Sequence, residues 1–155
     1  MRLLGPFLVA AALVLGGCGS DQSGGSAPVG SGTVADALYH QVAMITVTEG
    51  GGQVTDQITW VDSERSLRRY VFGFPSEQLQ REVLAAAEHA DLDDGQRLGA
   101  AVVDLGCSPP NEVSVTGSGA DLSISASGKP SAEIQCLAPI TTVALVAVDD
   151  SLSAS

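Results

Sequence analysis

Nucleophiles, bases and metal ligands are few in this chain and poorly spaced for one another. Its two histidines are His40 and His89. His89 lies two residues from Asp91 and serines are plentiful. A nucleophile elbow, however, needs Gly-x-Ser-x-Gly, which lifts a serine onto a strand-to-helix turn. The run Gly117-Ser118-Gly119 lacks that spacing. A histidine at a helix end also serves simply by facing the negative end of the helix dipole. The acidic run Asp91-Leu92-Asp93-Asp94-Gly95 begins like a calcium loop, which wants oxygen ligands at its first, third and fifth positions, glycine at the sixth and glutamate at the twelfth. Here the fifth position is Gly95, the sixth Gln96 and the twelfth Val102, so the pattern stops after two ligands and an acidic turn is expected. Phosphate-cradling glycine loops and CxxC pairs are absent. The sequence thus calls for no catalytic residue, no metal and no cofactor.

Three other groups could act on a partner or on the fold. Arg65, Arg68 and Arg69 fall at i, i+3 and i+4 of a helical stretch and hold half of the basic charge left once Arg2 is set aside. Together they are a candidate anion patch toward a lipid headgroup or wall polymer; singly they are a solvated helix face. Trp60 sits in a strand-like run and is expected in the core, although in a groove it would make a ligand platform. Cys107 and Cys136 form an even pair, the expected sign of a disulfide in an exported chain. Closing a loop of about 30 residues in this way stabilises by roughly 3–4 kcal/mol on the chain-entropy model.

Whether the chain is exported turns on its first eighteen residues. Arg2 supplies a cationic start, residues 3–15 form an apolar run broken only by Gly5 and Pro6, and Leu15-Gly16-Gly17-Cys18 follows. A cationic start, a short apolar run and small residues at a cleavage point are the parts of a secretory signal. Leu15-Gly16-Gly17-Cys18 resembles the lipobox of bacterial lipoproteins. The resemblance implies that Cys18 receives diacylglycerol on its thiol and becomes the N-terminus after cleavage behind Gly17. Small residues there give a peptidase access to a peptide bond beside an acylated thiol. Two acyl chains on one residue anchor a protein stably, where a single chain binds marginally.

Charge and composition agree with such an anchor. The chain of 155 residues has a net charge of −11, and from Cys18 onward 6 basic residues face 18 acidic ones. That balance argues against nucleic acid, whose affinity is built from Lys and Arg. It also repels bare anionic lipid, so membrane attachment needs a covalent tether. No apolar run reaches the ~20 residues of a membrane span.

The elements that must position any site come after a linker. Residues 19–33 are mostly Gly and Ser, a flexible spacer with a root-mean-square span of about 20 Å. The expected organisation is a signal peptide over 1–17, lipidated Cys18 and linker over 18–33, one domain over 34–150 and a frayed tail over 151–155. Residues 42–48 and 54–61 are strand-like, and Glu49-Gly50-Gly51-Gly52 between them predicts a hairpin. Leu67, Tyr70, Val71 and Phe74 mark one face of a helix capped by Asp62 or Ser63 and ended by Gly73 and Pro75. A second helix is expected from Ser76 to about His89. Beyond it the apolar period switches to two, predicting strands over 98–105, 112–116, 121–126, 132–137 and 142–149 in a meander. The expected fold is α+β: a mostly antiparallel sheet or small sandwich, two helices inserted after an N-terminal hairpin, and one disulfide.

The Ala/Gly/Val/Asp-rich usage, with GCSPP at 106–110 and QCLAPITTVALVAV at 135–148, is similar to small secreted or lipid-anchored actinobacterial proteins. More distantly, the order of helix, strand, meander and final valine-rich strand resembles the PrcB family, accessory subunits of a secreted protease complex. These likenesses imply a cell-envelope protein of binding or accessory type, held outside the cytosol on the cell membrane by Cys18, with an envelope protein or peptide as partner. A small cell-surface hydrolase or metal-dependent enzyme is the alternative.

A first test concerns the cysteines. Non-reducing peptide mapping should recover Cys107 and Cys136 in one cross-linked fragment, and reduction should lower unfolding stability by about 3 kcal/mol. Recovery of both as free thiols from exported protein would contradict the pairing.

Overall fold

The structure is a computed structural model that describes residues 38–128 and 137–153. In chain order its elements are β1 (Tyr39–Thr48), β2 (Thr59–Trp60), α1 (Glu64–Val71), α2 (Glu77–Glu88), β3 (Gln96–Gly106), β4 (Glu112–Thr116), β5 (Ser123–Ser127), β6 (Ile140–Asp149) and the short α3 (Asp150–Ser153). The fold is α+β. Four antiparallel strands form one sheet in the order β1-β6-β3-β2, and β4 and β5 form a separate hairpin.

Both helices arise where the apolar spacing and caps place them. Ser63 caps α1 reciprocally with Ser66: its Oγ accepts from the Ser66 amide at 3.2 Å, and Ser66 Oγ accepts from the Ser63 amide at 3.1 Å. Ser76 caps α2 by accepting from the Leu79 amide. These side chains satisfy amide donors that the first helical turn leaves open. Leu67 and Val71 of α1 and Leu79 and Val83 of α2 are buried against the sheet side they share with Ile45, Val102, Val143 and Leu145.

The hairpin expected between residues 42–48 and 54–61 does not form. β1 pairs with β6 at one edge of the sheet, and β2 pairs with β3 at the opposite edge. The glycines after Thr48 serve close approach instead of reversal. The Glu49 amide donates to Pro139 O at 2.8 Å, Thr141 Oγ1 donates to Gly51 O at 3.0 Å, and the Thr55 amide donates to Val102 O at 3.1 Å. The chain therefore runs across the end of the sheet, past β6 and then β3. A Cβ at Gly50 would come within 2.7 Å of Thr141 Cβ, so only glycine allows the crossing this close. At the far edge Gly99 does the same for Ile58, whose Cγ2 lies 2.8 Å from where a Cβ would stand.

The meander also gives way to a different connection. β3 pairs along its length with β6, and β4 and β5 fold away between them as a hairpin against one sheet face. The strand expected over 121–126 begins two residues late, because Gly119–Asp121 make a 3-10 turn. Residues 132–136 of the strand expected over 132–137 lie outside the described residues, and Leu137 stands in the bend before β6. The tail expected to fray has its first residues in α3, where Leu152 packs against the hairpin-side core.

The physical reason for the changed topology is that the central pair is buried on both faces. Leu98, Ala100, Val102, Val143 and Leu145 face the helices, while Ala101, Val103, Ala144, Val146 and Val148 face the β4–β5 hairpin. Strands covered on both sides read as near-continuous apolar runs, whereas strands covered on one side alternate. β4 alternates in this way, with Val113 and Val115 buried and Glu112, Ser114 and Thr116 less so. Leu145 is fully buried in β6. Leu145→Ala should lower stability by about 3 kcal/mol through lost burial and a residual cavity, seen as a reduced urea midpoint with an unchanged slope.

Candidate functional site

Between α1, α2 and the start of β3, the surface opens into a groove of about 390 Å³. Its apolar lining comes from Val61 after β2, Leu67 of α1, Leu84 and Ala87 of α2, Leu92 after α2, and Leu98 of β3. Phe72, the residue after α1, lies on its rim and is 67% exposed; Leu92 on the other side is 37% exposed. Asp62, Glu64, Arg68 and Glu88 supply its charged groups. Phe72 falls off the apolar stripe of α1 because the helix has turned by one residue past Val71. An off-stripe phenylalanine at a helix end was the sequence signal for this groove.

Two ion pairs order the α1 wall. Arg68 meets Glu64 at 2.9 Å, one turn apart and largely exposed, a pair of small energetic weight. Arg97 is more constrained. Its Nη2 and Nε approach Asp62 Oδ2 at 2.7 and 2.8 Å, Asp150 lies 3.9 Å away, and the guanidinium sits 4.2 Å from the centre of the Trp60 ring. A guanidinium on an aromatic face and a carboxylate at once ties β2, the start of β3 and the turn into α3 together. Trp60, expected in the core, is half-buried under this arginine and against the hairpin-side core. Nothing in the spacing of residues 60, 62, 97 and 150 announces the cluster, because only the crossing chain brings them together.

The other candidates from the sequence are dispersed. Of Arg65, Arg68 and Arg69, Arg68 is neutralised by Glu64, which also shares the surface patch of Arg65 and Arg68. Arg68 and Arg69 lie in the last turn of α1, where cations complement the helix dipole. His89 is the C-cap of α2, its amide donating to Ala85 O at 3.2 Å, and its side chain is exposed. His40 is exposed on edge strand β1. Among the described residues, no hydrogen bond joins His89 to Asp91 or to a serine, and no group of three His, Cys, Asp or Glu gathers as metal ligands. Asp91–Gly95 is the expected turn: the Gln96 amide donates to Asp93 O, and Gly95 takes φ +82°. Cys107 follows β3 directly, whereas Cys136, Cys18 and Leu15-Gly16-Gly17 lie outside the described residues.

No family model, no curated protein and no solved structure matches this chain.

One buried polar group beneath α1 is unsatisfied. Tyr70 packs edge-on against Phe74, ring centres 5.2 Å apart, and its hydroxyl is buried without a hydrogen-bond partner. Burial holds the phenol well above the ordinary tyrosine range. The folded state thus keeps a proton that the unfolded chain releases near pH 10. The corresponding stability is complete below that pH and is lost as pH rises toward the folded value. Tyr70→Phe should therefore hold or raise stability near neutrality, by up to about 1 kcal/mol. It should also flatten the decline above pH ~10; parallel urea titrations of both proteins at pH ~8 and ~11 check this.

Proposed function

We propose that this chain is a lipid-anchored docking protein of the cell envelope, exported by its N-terminal signal and held outside the cytosol by diacylglyceryl-Cys18. Leu15-Gly16-Gly17-Cys18 supports the anchor, and the acidic balance of the chain supports the need for one. The Gly/Ser-rich stretch over 19–33 gives the domain reach from the headgroups. A bond between Cys107 and Cys136 suits that compartment and would pin the segment after β3. The observation that carries the docking role is the α1–α2 groove, an apolar floor left open between two helices with Phe72 exposed at its rim. Apolar surface of this kind, rimmed by polar groups, marks interaction sites. Binding is the role assigned, in the manner of an accessory subunit, with an envelope protein or peptide as partner.

Metabolic labelling with an alkynyl fatty acid tests the anchor. The wild-type chain should label and sediment with membranes, and Cys18→Ala should do neither. A Cys18→Ala chain that still labels and stays with membranes, or native protein found unacylated in the cytosol, would overturn the proposal.

A further inference from the structure

The groove has an electrostatic asymmetry that an apolar ligand alone would not answer. Charges on its α1 wall are cancelled within the fold, Arg68 by Glu64 at 2.9 Å and Asp62 by Arg97 at 2.7 Å. On the α2 wall, Glu88 occupies the last helical turn, which contains no basic residue. The C-terminal carbonyls place the negative end of the helix dipole at the same point, so a carboxylate there is unfavourable until a cation joins it. Among the described residues Glu88 makes no ion pair, and it lines the groove beside Leu84, Ala87 and Leu92. Hydrophobic contact and an unanswered negative charge thus meet on one wall.

Resting on the docking role proposed above, we infer that the groove takes a peptide segment of a partner protein in which an apolar side chain stands next to a lysine or arginine. The apolar group lies on Leu84 and Leu92, and the cation meets Glu88 and the end of α2. The chain's net charge of −11 favours the same partner at longer range. An acidic segment is repelled at this wall, and a neutral one leaves Glu88 as it is.

The test uses the full-length lipidated protein, ¹⁵N-labelled in detergent micelles, with three synthetic peptides identical except at one position next to a leucine: lysine, glutamine or glutamate. The lysine peptide should shift the amides of Leu84, Ala87 and Leu92. The glutamate peptide should bind about ten-fold more weakly. Glu88→Gln, an exposed substitution, should lose about three-fold in affinity for the lysine peptide and nothing for the glutamine peptide. Leu84→Asp should lose all three, with Trp60 fluorescence reporting that the fold persists. Equal affinity for the three peptides, unaltered in Glu88→Gln, would overturn the charge selection while leaving groove docking intact. Groove shifts with no peptide would overturn docking itself, and shifts produced by lipid vesicles instead would assign the groove to a membrane. Fatty-acid labelling judges the anchor independently of every one of these outcomes.

Discussion

The structure depends on burying both faces of one antiparallel strand pair. β3 and β6 run side by side through the middle of the sheet, and from Thr141 to Val148 every residue of β6 is buried. With aromatics at only 4% of the chain, the core is assembled mainly from Val, Leu, Ile and Ala in two layers, with Phe74 joining the helix-side layer. Each layer needs its own cover, α1 and α2 on one face and the β4–β5 hairpin on the other. Small β-branched residues suit this arrangement, since they pack closely on a pleated surface and lose little side-chain entropy there.

That requirement explains the path of the chain. If β1 and β2 paired with each other, both would lie on the β6 side and the outer edge of β3 would be left without β2. Placing them at opposite edges demands a crossing over the sheet end, which passes so near Thr141 that a side chain at position 50 would collide. The crossing delivers Trp60 and Asp62 to the start of β3, where Arg97 clamps both. It also sets α1 at the β2 edge, while α2 turns back across the same face. α1 ends and α2 begins at the short turn through Gly73 and Pro75, and the groove is lined by residues of both helices and of β3. The groove is therefore a by-product of the sheet order before it is anything else.

Charge follows a different logic from packing. The described ion pairs sit at or near the surface and contribute modestly. Their consequence is positional: α1 presents a neutralised wall to the groove and α2 an acidic one. The proposed docking role rests on the apolar floor of the groove, and only the proposed preference for cationic segments rests on that difference in charge.

Much of this protein was legible in its sequence wherever the information is local. The start of α1 at Asp62 or Ser63, the start of α2 at Ser76, the extent of β4 and the turn at Gly95 follow from residue chemistry within a few positions. What only the tertiary structure decided is pairing. The same glycine run suits a hairpin or a tight crossing, and the same valine-rich strand suits a meander edge or a doubly covered centre. The choice between them is set by which apolar faces remain to be covered once all elements compete, and that competition is a property of the whole chain. The groove, the Arg97 clamp and the isolation of Glu88 belong to this second class, because each joins residues that meet only after the sheet order has been settled.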